Sequence, residues 1–185
     1  MLDHDVDIFC RLADDLADVL CARDADCVAG DAVEGYNPSH DVCRLIIDAA
    51  VRMASRSRGT AIPNYDFLLM GAPGQCPKSL QASSFFLHLD DDALARKLDA
   101  ANAYPELAGE VSAALGRFGI EPFRTECLRP VDPSDRHDWA ADEVPSYERY
   151  GAERVAAGVY SRVLRFQEHV RPIADALWTH TERRA

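Results

Sequence analysis

The chain has 185 residues, 20 basic against 31 acidic side chains, and a formal net charge of −11. That length predicts a single domain, residues 1–185, able to bury roughly 70% of the surface its unfolded chain exposes, and 48% hydrophobic residues rule out global disorder. The acidity argues against nucleic acid and anionic membrane surfaces, because Lys and Arg supply most of the affinity for phosphates, and it favours a neutral or cationic small molecule.

No apolar run is long enough to span a membrane, and Met-Leu-Asp-His-Asp lacks the basic start of a signal peptide. The expected location is cytoplasmic. The six cysteines, Cys10, Cys21, Cys27, Cys43, Cys76 and Cys127, include no C-x-x-C pair, and most read as small core hydrophobes rather than as disulfide or redox groups.

In chain order, Val6, Phe9, Cys10, Ala13, Leu16, Ala17 and Leu20 form one buried stripe and predict a helix from about Asp5 to Ala22, capped by Asp3 or Asp5. Cys27-Val-Ala-Gly30 reads as a buried strand. The turn-rich stretch from Asp31 to Asp41 leads into a second helix, with Asn37 as N-cap and Pro38 at the first helical position, where its missing N–H costs nothing. Arg52 to Arg58 and then Gly59 supply the favourable charge and the stop at its other end.

Tyr65-Asp-Phe-Leu-Leu-Met70 and Ser84-Phe-Phe-Leu-His-Leu89 predict two more strands, separated by a Gly/Pro loop. Helices follow from Asp91 to about Tyr104 and from Glu106 to Phe118. Pro122 to Leu128 predicts a strand at a sheet edge, where a proline is tolerated, Asp132 to Pro145 a polar loop, and Ala152 to Leu177 one long amphipathic helix bent at Pro172. The alternation of helix and strand predicts an α/β sandwich with a mainly parallel sheet. Ligands of such sheets lie beyond the carboxyl ends of the strands, which draws attention to residues 31–41.

That segment gathers Asp31, Glu34, Tyr36, Asn37, His40 and Asp41. An imidazole among carboxylates at a strand's carboxyl end is able to ligate a divalent metal that keeps an open position for water. Residue by residue, the same segment also reads as ordinary structure: Asn37 and Asp41 as capping and first-turn residues, His40 as a surface histidine, and Asp31 and Glu34 as loop acids.

Glu34-Gly-Tyr-Asn-Pro-Ser-His-Asp41 resembles the Glu-Gly-Gly-His-Pro-Asp-His-Asp segment of the GlcNAc-phosphatidylinositol de-N-acetylase family, also called PIG-L or LmbE-like. The likeness continues through Phe67-Leu-Leu-Met70, Ala95-Arg-Lys-Leu98 with Tyr104, Pro145-Ser-Tyr-Glu-Arg-Tyr-Gly151 and Arg154 to Tyr160. It implies a Rossmann-like three-layer sandwich and a zinc-dependent hydrolase that removes acetyl groups from amino-sugar conjugates. His40 then matches a zinc ligand, and Asn37 stands where the family has a histidine that steadies the oxyanion. Glu34 and Tyr36 flank these two as substrate-binding residues. Asn37 can donate a hydrogen bond there but carries no proton, and Ser39 replaces an aspartate that orients the neighbouring histidine.

The family's opening Ala-His-Pro-Asp-Asp-Glu motif, which implies two further zinc ligands and the general base, has no counterpart here. Met1 to Asp7 reads as a helix cap rather than a displaced metal motif. The expectation is therefore a deacetylase domain lacking its first strand and helix, with two of three zinc ligands missing, and inactive as this chain alone. The alternative is a non-catalytic relative that binds a sugar or a partner. An oligomer or a complementing chain is a third way to complete the site.

Overall fold

In the computed structural model, which describes residues 1–3, 5–72, 74–137 and 143–183, the opening stripe forms α1 (Asp7–Ala22) and buries Ala13, Ala17 and Leu20. Val6 occupies the N-cap position without a side-chain hydrogen bond, so neither Asp3 nor Asp5 caps the helix. Asp3 pairs with Arg162 at 3.1 Å instead, and His4 lies outside the described residues.

The strand β1 (Val28–Asp31) begins one residue later than its apolar run suggests. It is only half buried, with Cys27 and Ala29 exposed. α2 (Pro38–Arg58) follows, and its start is the one the sequence dictates: the Asn37 side chain accepts from the Ser39 N–H, Pro38 opens the helix, and Gly59 closes it in the left-handed region. Arg58 near its end donates to the Ala25 carbonyl at 2.7 Å and to Asp24 at 2.6 Å.

The core lies around α2. Its Val42, Leu45, Ala49, Ala50, Val51, Met53 and Ala54 are buried against α1 and against Phe166, Val170, Ile173 and Leu177 from the end of the chain. Each large apolar side chain buried this way contributes about 1.5–3 kcal/mol, far more than any surface ion pair.

The chain divides into two compact units, Met1–Asp66 with Val131–Ala185, and Phe67–Pro130. The first holds β1, α2 and most of β2 (Asn64–Phe67), which stops short of the apolar run ending at Met70. In the second, β3 (Phe85–His88), α3 (Asp91–Asn102), α4 (Ala108–Phe118) and β4 (Thr125–Pro130) follow in order. Asp90 caps α3 by accepting from the Ala93 N–H. Pro105 and Pro122 both fall in short 3-10 turns, Pro105–Leu107 and Glu121–Arg124, outside the regular elements.

The molecule is of mixed α/β class, but strand pairing is mostly antiparallel, with one parallel pair, rather than mainly parallel. The reason is a matter of counting reversals. One crossover helix, α2, connects β1 to its neighbour β2, which is the connection a parallel pair needs. Two helices connect β3 to β4, so the chain returns antiparallel, with Phe86 opposite Cys127 and His88 opposite Thr125.

The long final helix is replaced by α5 (Ser146–Ala156), a π-turn over Phe166–Val170 and α6 (Arg171–Arg183). Gly158 adopts φ +72°, a region open to glycine at little cost, and the helix ends there. Val159, on the expected apolar face, is 53% exposed. Pro172 is the second residue of α6, directly after the π-turn, so it sits where the helical run changes from π to α geometry. Trp178 of α6 lies under the Arg52 guanidinium at 3.9 Å and near that of Arg136 at 5.0 Å. Of the expected polar loop, residues 138–142 lie outside the described residues, and the rest has no helix or strand.

Candidate functional site

β1 ends at Asp31 and α2 begins at Pro38, so the six residues between them form the strand-to-helix junction. His40, in the first turn of α2, turns its Nδ1 onto the Asp31 carboxylate. Both side chains reach solvent, with 42% and 26% of their surface exposed. A carboxylate on Nδ1 fixes the imidazole tautomer and orientation, which leaves Nε2 as the nitrogen that can accept a hydrogen bond or bind a cation. The support sought at Ser39 thus comes from Asp31.

Asn37 holds the Ser39 N–H at 2.9 Å through Oδ1, and its Nδ2 has no partner among the described residues. It can therefore cap the helix and donate to a ligand carbonyl at the same time. Glu34 is half-buried, and Tyr36 is 38% exposed at the rim. Glu34, Tyr36 and Asn37 lie on the segment between β1 and α2, and His40 in the first turn that follows.

Asp41 stands in the first turn of α2, as the sequence reading has it, but it does not face solvent. It is buried, and its Oδ1 accepts from the backbone N–H groups of Glu34 at 3.1 Å and Gly35 at 3.3 Å. Gly35 has φ +62°, and this left-handed turn is what aims both N–H groups at one oxygen. The other oxygen, Oδ2, has no hydrogen-bond partner. Burial pushes the Asp41 carboxyl up from its ordinary value, more than the two backbone hydrogen bonds and the nearby His137 charge pull it down.

Tyr147 of α5 donates its backbone N–H to the Gly35 carbonyl at 3.3 Å. Its buried hydroxyl also lacks a partner, and burial, followed by the charges of Asp41 and Glu148, pushes the phenol well up.

Deeper along α2, Arg44 is fully buried and binds Asp48 at 2.8 Å, the Asn64 side chain at 2.8 Å and the Tyr65 carbonyl at 2.9 Å. The second Asp48 oxygen holds His137 Nε2 at 2.8 Å. Burial pulls the His137 imidazole down, but the hydrogen bond and charge of Asp48, with that of Asp135, outweigh it and the net displacement is upward. A cavity of about 30 Å³ lined by Asp48, Arg52, His137 and Trp178 has room for a water but not for a sugar.

Sequence reasoning missed Arg44, Asp48, His137 and Tyr147. One signal was present: Asp41, Arg44 and Asp48 recur at spacings of three and four, which continues a buried face with charged residues. His137 and Tyr147 carry no local sign of their place.

Among the described residues, no group of three His, Cys, Asp or Glu stands close enough together to hold a metal ion. Asp31 is engaged by His40, and Asp41 faces the interior, so this junction offers a single zinc-ready nitrogen where a catalytic zinc takes three protein ligands. On their own, the described residues do not fit such a centre. No described helix is long and apolar enough to cross a membrane. A scan against family models finds no match, and searches of curated proteins and of solved structures find none either.

Proposed function

We propose that the β1–α2 junction is the ligand face of a deacetylase-type domain of Rossmann-like ancestry, which binds an N-acetylated amino-sugar conjugate and does not hydrolyse it with its own residues alone. The Asp31–His40 pair carries this reading. A histidine locked by a carboxylate at the carboxyl end of a strand presents Nε2 in a fixed direction, as recognition of a small polar ligand requires. The likeness of residues 34–41 to the de-N-acetylase segment supplies the class of ligand.

In this arrangement His40 Nε2 accepts from a sugar hydroxyl, and Asn37 Nδ2 donates to the acetyl carbonyl. The N-terminus of α2 adds a favourable field for the carbonyl oxygen. Glu34 and Tyr36 border the sugar. Hydrolysis would need zinc, with ligands beyond His40 brought by another segment or a complementing chain.

The test is titration with N-acetylglucosamine and with glucosamine, following the His40 side-chain resonances and released amine. N-acetylglucosamine is expected to move the His40 signals more than glucosamine does, without amine release. Asp31→Asn should weaken binding on the order of tenfold, the scale typical for loss of a histidine-orienting partner. An unmoved His40 would reject the reading, and amine release by the chain alone would show that its catalytic site is complete.

A further inference from the structure

Outside the β1–α2 junction, unit Phe67–Pro130 brings two thiols together. Cys76 lies in the loop that follows β2, and Cys127 lies within β4. The loop is docked closely on that strand: a Cβ added at Gly74 would stand 3.1 Å from the Thr125 side chain. Cys76 Sγ is 3.3 Å from the Ser84 hydroxyl oxygen. Since Ser84 donates its proton to the Leu80 carbonyl at 2.9 Å, its oxygen is left to hold the Cys76 sulfur in place. Cys127 stands opposite Phe86 in the β3–β4 ladder, two residues on from Ser84, and Cys76 is near enough to act on the ionisation of its thiol. Of the remaining cysteines, Cys27 and Cys43 are exposed and Cys10 and Cys21 are half-buried in α1.

The two thiols are not equivalent. Cys127 is 7% exposed, and burial, with Cys76 beside it, pushes its thiol up to about 11. It is therefore a poor first nucleophile, because the thiolate is the reacting form. Cys76 is half-exposed in a loop, so of the two it is the one an oxidant meets first.

We propose that Cys76 and Cys127 form a reversible dithiol/disulfide pair, oxidised by a hydroperoxide, that pins the 74–84 loop to β4. In the first step the Cys76 thiolate attacks the peroxide: an S–O bond forms, the O–O bond breaks, and hydroxide or an alcohol leaves. In the second, the Cys127 sulfur attacks the resulting sulfenic acid. The S–S bond forms, the S–O bond breaks, and the sulfenic hydroxyl leaves as water with the Cys127 proton, while the proton given up by Cys76 joins the hydroxide or alkoxide released in the first step. The two sulfurs together lose two electrons, and the peroxide gains them. A small-molecule dithiol reverses the reaction by exchange.

The experiment uses the full chain, reduced and then exposed to hydrogen peroxide, unfolded, alkylated and digested with trypsin. Alkylatable thiols are expected to fall from the six of the sequence by two. The peptide Gly59–Lys78 should appear joined to Thr125–Arg136, lighter by two hydrogens than their sum, and dithiothreitol should restore both. Cys76→Ser, at a half-exposed loop position, should leave every remaining thiol alkylatable, and Cys127→Ser should leave a sulfenic acid at Cys76 that dimedone captures. Linkage of Cys76 to Cys27 or Cys43 in the wild type, or separate oxidation of Cys76 and Cys127 without a joined peptide, would overturn the proposal. Because the joined peptide is read in the unmutated protein, the outcome does not depend on how well either variant folds.

Discussion

Asp41 and Tyr147 each bury an oxygen that has no hydrogen-bond partner among the described residues, and the charge of one acts on the ionisation of the other. Because burial holds the Asp41 carboxyl above its unfolded value, the native state binds that proton more tightly than the unfolded state does. Stability from this group is therefore greatest in acid and falls as pH rises through the raised value. Asp41→Asn keeps an acceptor for the Glu34 and Gly35 N–H groups and removes the charge. It is expected to stabilise the protein at pH 7 by about 1 kcal/mol, an advantage that shrinks towards zero below about pH 4. Urea unfolding of both proteins across that range gives the comparison.

His137 works in the opposite region of the pH scale. Its imidazole is held above the ordinary histidine value by Asp48 and Asp135 despite burial and the opposing charge of Arg44, and Asp41 also lies within its field. The stabilisation is complete below the unfolded value of about 6.5 and is lost as pH rises through the higher folded value. The stability difference between wild type and His137→Gln should therefore shrink on going from pH 6 to alkaline pH. A difference that stays flat would show that the imidazolium contributes nothing beyond packing.

Removing Arg44 alone should be far more damaging than its single side chain suggests. Arg44→Ala leaves the half-buried Asp48 carboxylate with only the His137 imidazole as a cationic partner, and breaking a buried pair from one side costs up to about 3–5 kcal/mol. Adding Asp48→Ala should recover part of that loss. A double-mutant cycle by chemical unfolding measures the coupling, and simple additivity would mean that the two act separately.

Asn37 offers a way to separate capping from recognition. Asn37→Ala should destabilise by about 1 kcal/mol through loss of the bond to Ser39. Asn37→Asp retains an equally good cap but lacks the Nδ2 donor. It should leave thermal stability nearly unchanged while weakening N-acetylglucosamine binding, as read by calorimetry. Equal binding by both proteins would assign Asn37 to the helix alone.

What could be read in the sequence was local. Asn37, Pro38 and Gly59 define α2 because caps act within three or four residues, and Asp31 and His40 lie nine residues apart across one turn. What escaped depended on distance or on backbone choice. Asp48 meets His137 across 89 residues, a contact no spacing announces. The valines of residues 152–177 keep a helical rhythm through Gly158, but α5 stops before the positive φ adopted there, and residues 157–165 carry no helix before the π-turn at Phe166. The direction of the sheet was hidden for a similar reason, since two helices rather than one precede β4.

The position of Trp178 also gives the protein a built-in optical probe. The sequence has two tryptophans, so Trp139→Phe would leave one indole, enclosed by cations that come from α2 and from the segment before residue 138. The electric field on that ring depends on both guanidinium groups staying where they are. As they withdraw and water takes their place, the emission should shift to the red, so a fluorimeter alone would follow the loosening of α6 from α2.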